Sequence, residues 1–321
     1  MDGDFTEALR AFGQLELIPD GSAMTDGERA EKIRGCDVLL LIWGSMPIPE
    51  EIAQNPGSLK YICVITGEMR HWVPLSIIEA GIPVTNWGDA SAEGVAEGAM
   101  ALLLSVMKNI RSYTQTVAGG GWGIESSATM AGLRGCDVGI YGMGAIGRRF
   151  VELIRPFGAT LRVFDPYVAK LPKGCVRVDS LEELFDHSSV IAVHAGLSPE
   201  TRHSVNGALL ARLPDGGIII NTARGGLIDQ DALFRELESG RLRAGLDVLD
   251  GPDGDYLPPD HPARSWPNLI LTCHSVMDVK WGTEATLERA MYGVCLDNLR
   301  RFAVGEPLRF RMDRERYLIS T

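Results

Sequence analysis

Three glycines fall within six positions of the run "VGIYGMGAIGRRF", at Gly142, Gly144 and Gly147, between an apolar stretch and a helix-like one. That spacing suits an anionic diphosphate. Gly142 permits a tight turn, Gly144 lets a pyrophosphate approach the main chain, and Gly147 lets the following helix pack closely on the strand, its N-terminus aimed at the anion. Asp165 lies 18 residues beyond Gly147, at the end of the next apolar run. A carboxylate there would accept hydrogen bonds from both ribose hydroxyls and repel a 2′-phosphate, which favours NAD over NADP. Further along, Arg224, Asp247 and His274 each close a short apolar run. A guanidinium fork can pair with a carboxylate and polarise a neighbouring carbonyl. An imidazole can exchange a proton near neutral pH.

These residues need a scaffold that brings strand ends together. From Val138 onward, β-branched apolar runs alternate with amphipathic segments, the pattern of a parallel sheet covered on both faces. The runs are "DVGIY" before Gly142, "LRVF" before Asp165, "VIAV" before His194, "GIIINT" before Arg224, "AGL" before Asp247 and "LILTC" before His274. In open α/β sheets, ligands bind beyond the carboxyl ends of the strands, so these terminal residues would share one crevice. Crossover helices are expected at "AIGRRFVELIRPFG" and at "DQDALFRELESG", the latter with Asp229 as N-cap and Gly240 as stop.

The first hundred residues repeat the style more weakly. Strands are expected in "CDVLLLIWG", "LKYICVITG" and "GIPVTN", and helices in "DGERAEKIRG" and "LSIIEAG". Two long helices, 92–110 and 283–302, are expected to cross between domains, with the C-terminal tail returning to the amino-terminal half. The expected fold is α/β: two Rossmann-like domains of parallel sheets flanked by helices, with the active site in the interdomain cleft. Residues 1–108, completed by 287–321, would form a flavodoxin-like substrate-binding domain, and residues 109–286 the NAD-binding domain.

A chain of 321 residues with 45% hydrophobic content can bury two cores. A formal charge of −11 argues against a phosphate-tracking nucleic-acid surface. Cys36, Cys63, Cys136, Cys175, Cys273 and Cys295 form no CxxC pair and suit a reducing cytosol. No metal site is expected. The amino terminus lacks an apolar signal core, and no apolar run has the length of a membrane span, so a cytoplasmic protein without a membrane partner is expected.

The segments "HAGLSPETRHSVN", "IIINTARGGLIDQDAL", "GRLRAGLDV" and "PNLILTCHS", in that order after the glycine loop, resemble the D-specific 2-hydroxyacid dehydrogenases. The resemblance spans residues 59–308. It implies hydride transfer between NAD(H) and a small D-2-hydroxy acid or 2-keto acid, for example glyoxylate or hydroxypyruvate, in a homodimer. Arg224 would bind the substrate carboxylate and carbonyl, and His274 would be the acid/base. Asp247 would sit near the nicotinamide carboxamide. Ala145, Ile146, His194, Ala195, Thr222 and Ala223 would line the cofactor with the glycines and Asp165.

Two stretches depart from the family. Its histidine is normally paired with a glutamate shortly after the "GLDV" aspartate, but "GLDVLDGPDGDYLPPDHP" contains none. Alignment from the left puts Pro252 at that place; alignment from "LPPDHP" puts Asp255 there, which is preferred, with Asp250 and Asp253 as alternatives. In the amino-terminal domain, "VITGEMRHWVP" replaces a small-residue loop that offers backbone N–H groups to the substrate. Thr66, Gly67 and Glu68 are the substrate-binding candidates there. Glu68, Met69, Arg70, His71 and Trp72 either reshape the pocket, or, for Arg70 and His71, face solvent or a partner subunit. A strand expected before "TEALRAFG" is also missing: the sheet is reorganised or the chain starts late. The missing glutamate leaves open a second reading, a non-catalytic NAD-binding regulator on the same fold.

Overall fold

A computed structural model describes residues 3–18, 20–122, 131–251, 255–277 and 287–319. The chain divides into two compact units, 1–91 with 279–321, and 92–278. In chain order the first unit contributes α1 (Gly3–Arg10), α2 (Asp26–Arg34), β1 (Val38–Leu41), β2 (Tyr61–Val64), α3 (Leu75–Glu79) and β3 (Val84–Thr85). The second contributes α4 (Ala92–Met107), α5 (Ile110–Ala118), β4 (Asp137–Tyr141), α6 (Ala145–Ile154), β5 (Thr160–Phe164), β6 (Cys175–Arg177), α7 (Leu181–Asp186), β7 (Val190–Val193), α8 (Gly207–Leu210), β8 (Ile218–Asn221), α9 (Gln230–Glu238), β9 (Arg243–Leu246) and β10 (Leu269–Leu271). The chain returns to the first unit as α10 (Leu287–Val304) and α11 (Arg314–Ile319).

All six apolar runs read from Val138 onward are strands of one seven-stranded sheet, ordered β10-β9-β8-β7-β4-β5-β6 with every pairing parallel. The sequence reading missed β6. It is a three-residue edge strand, mostly exposed, so it lacks the apolar signature of the buried strands. Strand order reverses between β4 and β7, and the residues following those two strands, Gly142 and His194, flank the switch point. Alternate residues of the strands feed two apolar layers. One contains Ile191, Ile219 and Leu233; the other contains Ile140, Phe150 and Leu103.

The crossover helices follow local signals. Asp229 accepts a hydrogen bond from Ala232 N and so caps α9, which stops before Gly240 at φ +77°. On α6, Phe150, Val151 and Ile154 are fully buried, each contributing roughly 1.5–3 kcal/mol of apolar burial.

The division of the chain differs from the expected boundary at residue 108. Helix α4 belongs with the second unit because it packs on α6 and over β8 and β9; a Cβ on Gly245 of β9 would stand 3.0 Å from Leu102 Cβ. The expected helix 92–110 is also broken near its end, where Asn109 takes φ +52° and starts α5 in a new direction. Of the expected helix 283–302, the described part begins at Leu287.

The first unit holds a three-stranded parallel sheet, β1-β2-β3. Thr25 and Glu28 form a reciprocal capping box at the start of α2. Tyr292 of α10 stacks on Phe5 of α1 at 3.9 Å, Arg311 bridges Thr85, and the Tyr317 hydroxyl donates to Val73 O at 2.6 Å. The C-terminal tail is thus part of the first unit.

Candidate active site

The glycine loop leaves β4 with Gly142 at φ +95°, where a Cβ would lie 2.5 Å from Ala195 N. A Cβ on Gly147 would stand 2.3 Å from Gly142 O. Only glycine fits either place. Gly144 differs: it is the residue before α6, and a Cβ there would enter open space. This is the position where a bound anion would approach the helix N-terminus. Asp165, following β5, accepts from Met143 N at 2.7 Å, Tyr167 N at 2.8 Å and Val168 N at 3.0 Å. A carboxylate has about four lone-pair directions, so capacity for a hydroxyl donor remains.

His194 and Thr222 continue the β7–β8 register in which Val193 pairs with Asn221. Both side chains are buried, and among the described residues neither ring nitrogen of His194 nor Thr222 Oγ1 has a hydrogen-bond partner. Burial pushes the His194 imidazole down to about 4, so it is neutral at physiological pH. Unpartnered polar atoms at adjacent strand ends, beside an open glycine cradle, fit a dinucleotide that brings its own donors and acceptors.

The loop after β8 is clamped by Asn221, whose Nδ2 donates to Arg224 O at 2.9 Å and whose Oδ1 accepts from Ala223 N at 3.0 Å. Arg224 is half-buried and donates from Nη1 to Ala223 O at 2.8 Å. Next to it, a Cβ on Gly225 would fall 2.0 Å from the carbonyl carbon of Leu249. This close backbone approach draws the Arg224 loop against the segment that follows β9.

Asp247 follows β9, its carboxylate turned to the loop after β10. Oδ1 accepts from Thr272 Oγ1 at 2.7 Å, Ser275 N at 3.0 Å and Val276 N at 3.2 Å, while its carbonyl accepts from His274 N at 2.7 Å. Burial raises the Asp247 carboxyl above the ordinary range, against the lowering pull of these donors and of His274. The turn that it holds contains two non-glycine residues in the left-handed region, Cys273 at φ +51° and His274 at φ +54°.

His274 Nδ1 stands 2.5 Å from Asp255 Oδ2. The other Asp255 oxygen accepts from Leu249 N at 2.5 Å. The hydrogen bond to Asp255 raises the His274 pKa, outweighing burial and the nearby Arg224 charge. Burial pushes Asp255 up, but the hydrogen bonds from His274 and Leu249, with the charges of His274 and Arg224, together hold it below the usual carboxylate range. Asp250 points elsewhere, to His203 Nε2 at 2.7 Å and Arg202 Nη2 at 3.1 Å. Pro252 and Asp253 lie outside the described residues.

In the first unit, Thr66 follows β2 closely, is buried, and donates from Oγ1 to Glu68 O at 2.5 Å. Gly67 has Trp87 over it, with ring atoms 2.6–2.8 Å from where a Cβ would be, and its carbonyl accepts from Asn86 Nδ2 at 3.0 Å. Glu68 is exposed. Met69 and Trp72 are buried in the core of this unit. Arg70 reaches Leu318 O at 3.5 Å, and His71 is exposed with its ring edge-on to Trp72.

A dinucleotide cradle and an Arg–His–carboxylate group at the ends of one parallel sheet are joined by a sequence match: residues 100–275 fit the family model of the D-isomer specific 2-hydroxyacid dehydrogenase, NAD binding domain. The chain belongs to the D-isomer specific 2-hydroxyacid dehydrogenases. It is similar to the hydroxypyruvate reductase of Thermotoga maritima, 39% identical over 280 residues that cover 85% of this chain and 88% of the relative. It is also 32% identical to the D-3-phosphoglycerate dehydrogenase of Methanocaldococcus jannaschii over 84% of this chain; the match spans about half, 51%, of that longer protein. Among solved structures, a glyoxylate reductase from Paecilomyes thermophila aligns with a TM-score of 0.80 at 27% identity, covering 97% of this chain and 95% of that one. As a member of this family it is an NAD-linked oxidoreductase of 2-hydroxy and 2-keto acids.

In this family member the structure brings Asp255 to His274 and sets Gly142 and Gly147 against His194 and Ala195 at the switch point. Sequence reading overlooked Asn221, Gly225 and Thr272, which shape the loops. Asn221 and Thr272 lie inside quoted motifs, "IIINT" and "LILTC", but nothing in those motifs shows that their side chains clamp backbone.

Proposed function

We propose that this dehydrogenase reduces a 2-keto acid to the D-2-hydroxy acid with NADH, and runs the reverse oxidation, using His274, Asp255 and Arg224. The observation that carries the proposal is the 2.5 Å contact of His274 Nδ1 with Asp255 Oδ2, with Arg224 close enough to bias both groups. Bound NADH supplies the hydride. Gly142, Gly144, Ala145, Ile146 and Gly147 would hold its pyrophosphate, Asp165 its ribose, and His194, Ala195, Thr222, Ala223 and Asp247 its nicotinamide half. Arg224 would pair with the substrate carboxylate and polarise the keto group, joined by main-chain N–H groups of the Thr66–Gly67–Glu68 loop. His274, protonated and held through Nδ1 by Asp255, would give its other ring proton to the keto oxygen as the alkoxide forms.

The departure that spoke for a non-catalytic regulator was the absent glutamate. The contact of Asp255 with His274 supports the enzyme reading over that one. The names of the relatives support short 2-keto acids as substrates. We further read the protein as a cytoplasmic homodimer. Helix α5 buries none of its residues and exposes Ile110 and Val117, and Trp122 beyond it is 87% exposed, a face that suits a second copy of the chain. The six cysteines are free thiols, as a reducing compartment would keep them. Among the described residues no helix is long and apolar enough to cross a membrane. The test is NADH consumption with a panel of 2-keto acids: turnover supports the reading, and cofactor binding without turnover overturns it.

A further inference from the structure

The carboxyl edge of the first unit's sheet carries a pair of tryptophans that the proposed chemistry does not use. Trp43 comes two residues after β1, and Trp87 two residues after β3. Their rings meet edge-on, with centroids 5.3 Å apart and planes at 66°. Between the two strands runs β2, followed by Thr66 and Gly67, and it is Trp87 that lies over Gly67. Asn86 fixes this arrangement by donating to Gly67 O and accepting from Gly88 N, both at 3.0 Å. Trp43 is held at the corner of a turn: Ser45 N donates to Ile42 O at 3.0 Å, Ser45 Oγ accepts from Ile42 N at 2.9 Å, and Gly44 takes φ +84°. The turn leaves Trp43 53% exposed while Trp87 is 8% exposed. A rigid, half-open aromatic wall therefore adjoins the loop read above as the grip for the substrate carboxylate.

Ligands of open parallel sheets lie beyond the carboxyl ends of the strands, and aromatic side chains there reward an apolar group. We propose that Trp43 and Trp87 form a subsite for the side chain of the 2-keto acid, selecting an aromatic or branched apolar substituent. The proposal rests on the activity reading above and names its substrate class. The carboxylate would be held at Thr66–Gly67, and the substituent at C3 would lie against the exposed part of the Trp43 ring, in the edge-to-face geometry that the two indoles already show each other. Glyoxylate, which has no substituent, would gain nothing from this wall.

The experiment compares kcat/KM for NADH-dependent reduction of glyoxylate, pyruvate, 4-methyl-2-oxopentanoate and phenylpyruvate in the wild type, Trp43→Ala and Trp43→Phe. The wild type is expected to favour the two bulky acids over glyoxylate by about 10-fold or more, the scale on which an apolar pocket discriminates. In Trp43→Ala the ratio of phenylpyruvate to glyoxylate should fall about 10-fold, through KM, and Trp43→Phe should restore most of it. Turnover with no preference for the bulky acids, or a ratio unchanged by Trp43→Ala, overturns the subsite and leaves the activity reading standing. No NADH oxidation with any of the four acids overturns both.

Discussion

Asp255 reaches His274 across a loop of the sheet edge, Oδ2 to Nδ1 at 2.5 Å, while its second oxygen is fastened to Leu249 N. Asp is one methylene shorter than Glu, and the bond from Leu249 N fixes the shorter carboxylate where it meets the imidazole. The neighbouring Asp250, five residues earlier, is already engaged by Arg202 and His203.

Asp255→Asn should therefore lower the pKa of the acid group in keto-acid reduction, because its largest raising cause is the bond to Asp255. The protonated imidazole is the active form in this direction, so the alkaline loss of rate should move to lower pH. Asp250→Asn should leave the midpoint in place. Profiles of kcat/KM against pH decide it; identical midpoints in both variants would remove Asp255 from the role. The pair also contributes stability from the ordinary carboxylate range up to the ordinary imidazole value. That contribution fades as pH falls through the depressed Asp255 pKa or rises through the elevated His274 pKa.

Arg224→Ala should reduce turnover by about 100-fold or more, the usual loss for one preorganised charge donor. NADH binding should persist, since the residues read as holding its pyrophosphate and ribose follow β4 and β5, away from Arg224. Titration of NADH fluorescence alongside steady-state rates separates the two. A collapse of cofactor affinity with normal turnover at saturation would contradict the assignment.

Asp165 should make the enzyme prefer NADH. A 2′-phosphate brought against this buried carboxylate places like charges together, so kcat/KM with NADH should exceed that with NADPH by about 10-fold or more, about 1.4 kcal/mol. Equal efficiencies would show that the 2′ position lies away from Asp165.

His194 should make the cofactor-free protein acid-sensitive. Its folded pKa of about 4 lies below the unfolded value of about 6.5, so the unfolded chain binds more protons between those limits and stability falls with pH there. From pH 7 to pH 5 this one group should remove about 2 kcal/mol. His194→Leu should flatten that part of the curve. Urea unfolding at the two pH values measures the difference; equal acid sensitivity in both proteins would place the effect elsewhere.

Much of the fold was legible because each buried parallel strand is a run of apolar residues ended by a polar or glycine residue, as in "IIINT" and "LILTC". β6 was not, since a short edge strand carries exposed residues, and nor was the break at Asn109, which interrupts an otherwise continuous apolar helix pattern. The site was legible where spacing alone encodes the geometry, as at Gly142, Gly144 and Gly147. It was less so where the partner is remote in sequence. Composition could not say that Asp250 is held by Arg202 and His203, or that Met69 and Trp72 fill a core.

The turn at Cys273 and His274 has a bearing on how mutagenesis of this enzyme should be interpreted. Two consecutive side-chain-bearing residues in the left-handed region each cost on the order of 1–3 kcal/mol, and three donors converging on Asp247 Oδ1 hold the segment that contains them. A change at Asp247 would release that tension and let the imidazole swing away, over and above any loss of the carboxylate's contact with the nicotinamide. An inactive Asp247 variant would thus look like a lost chemical group when the injury is to the mount, and only its own crystal structure or a shifted His274 resonance would tell the two apart.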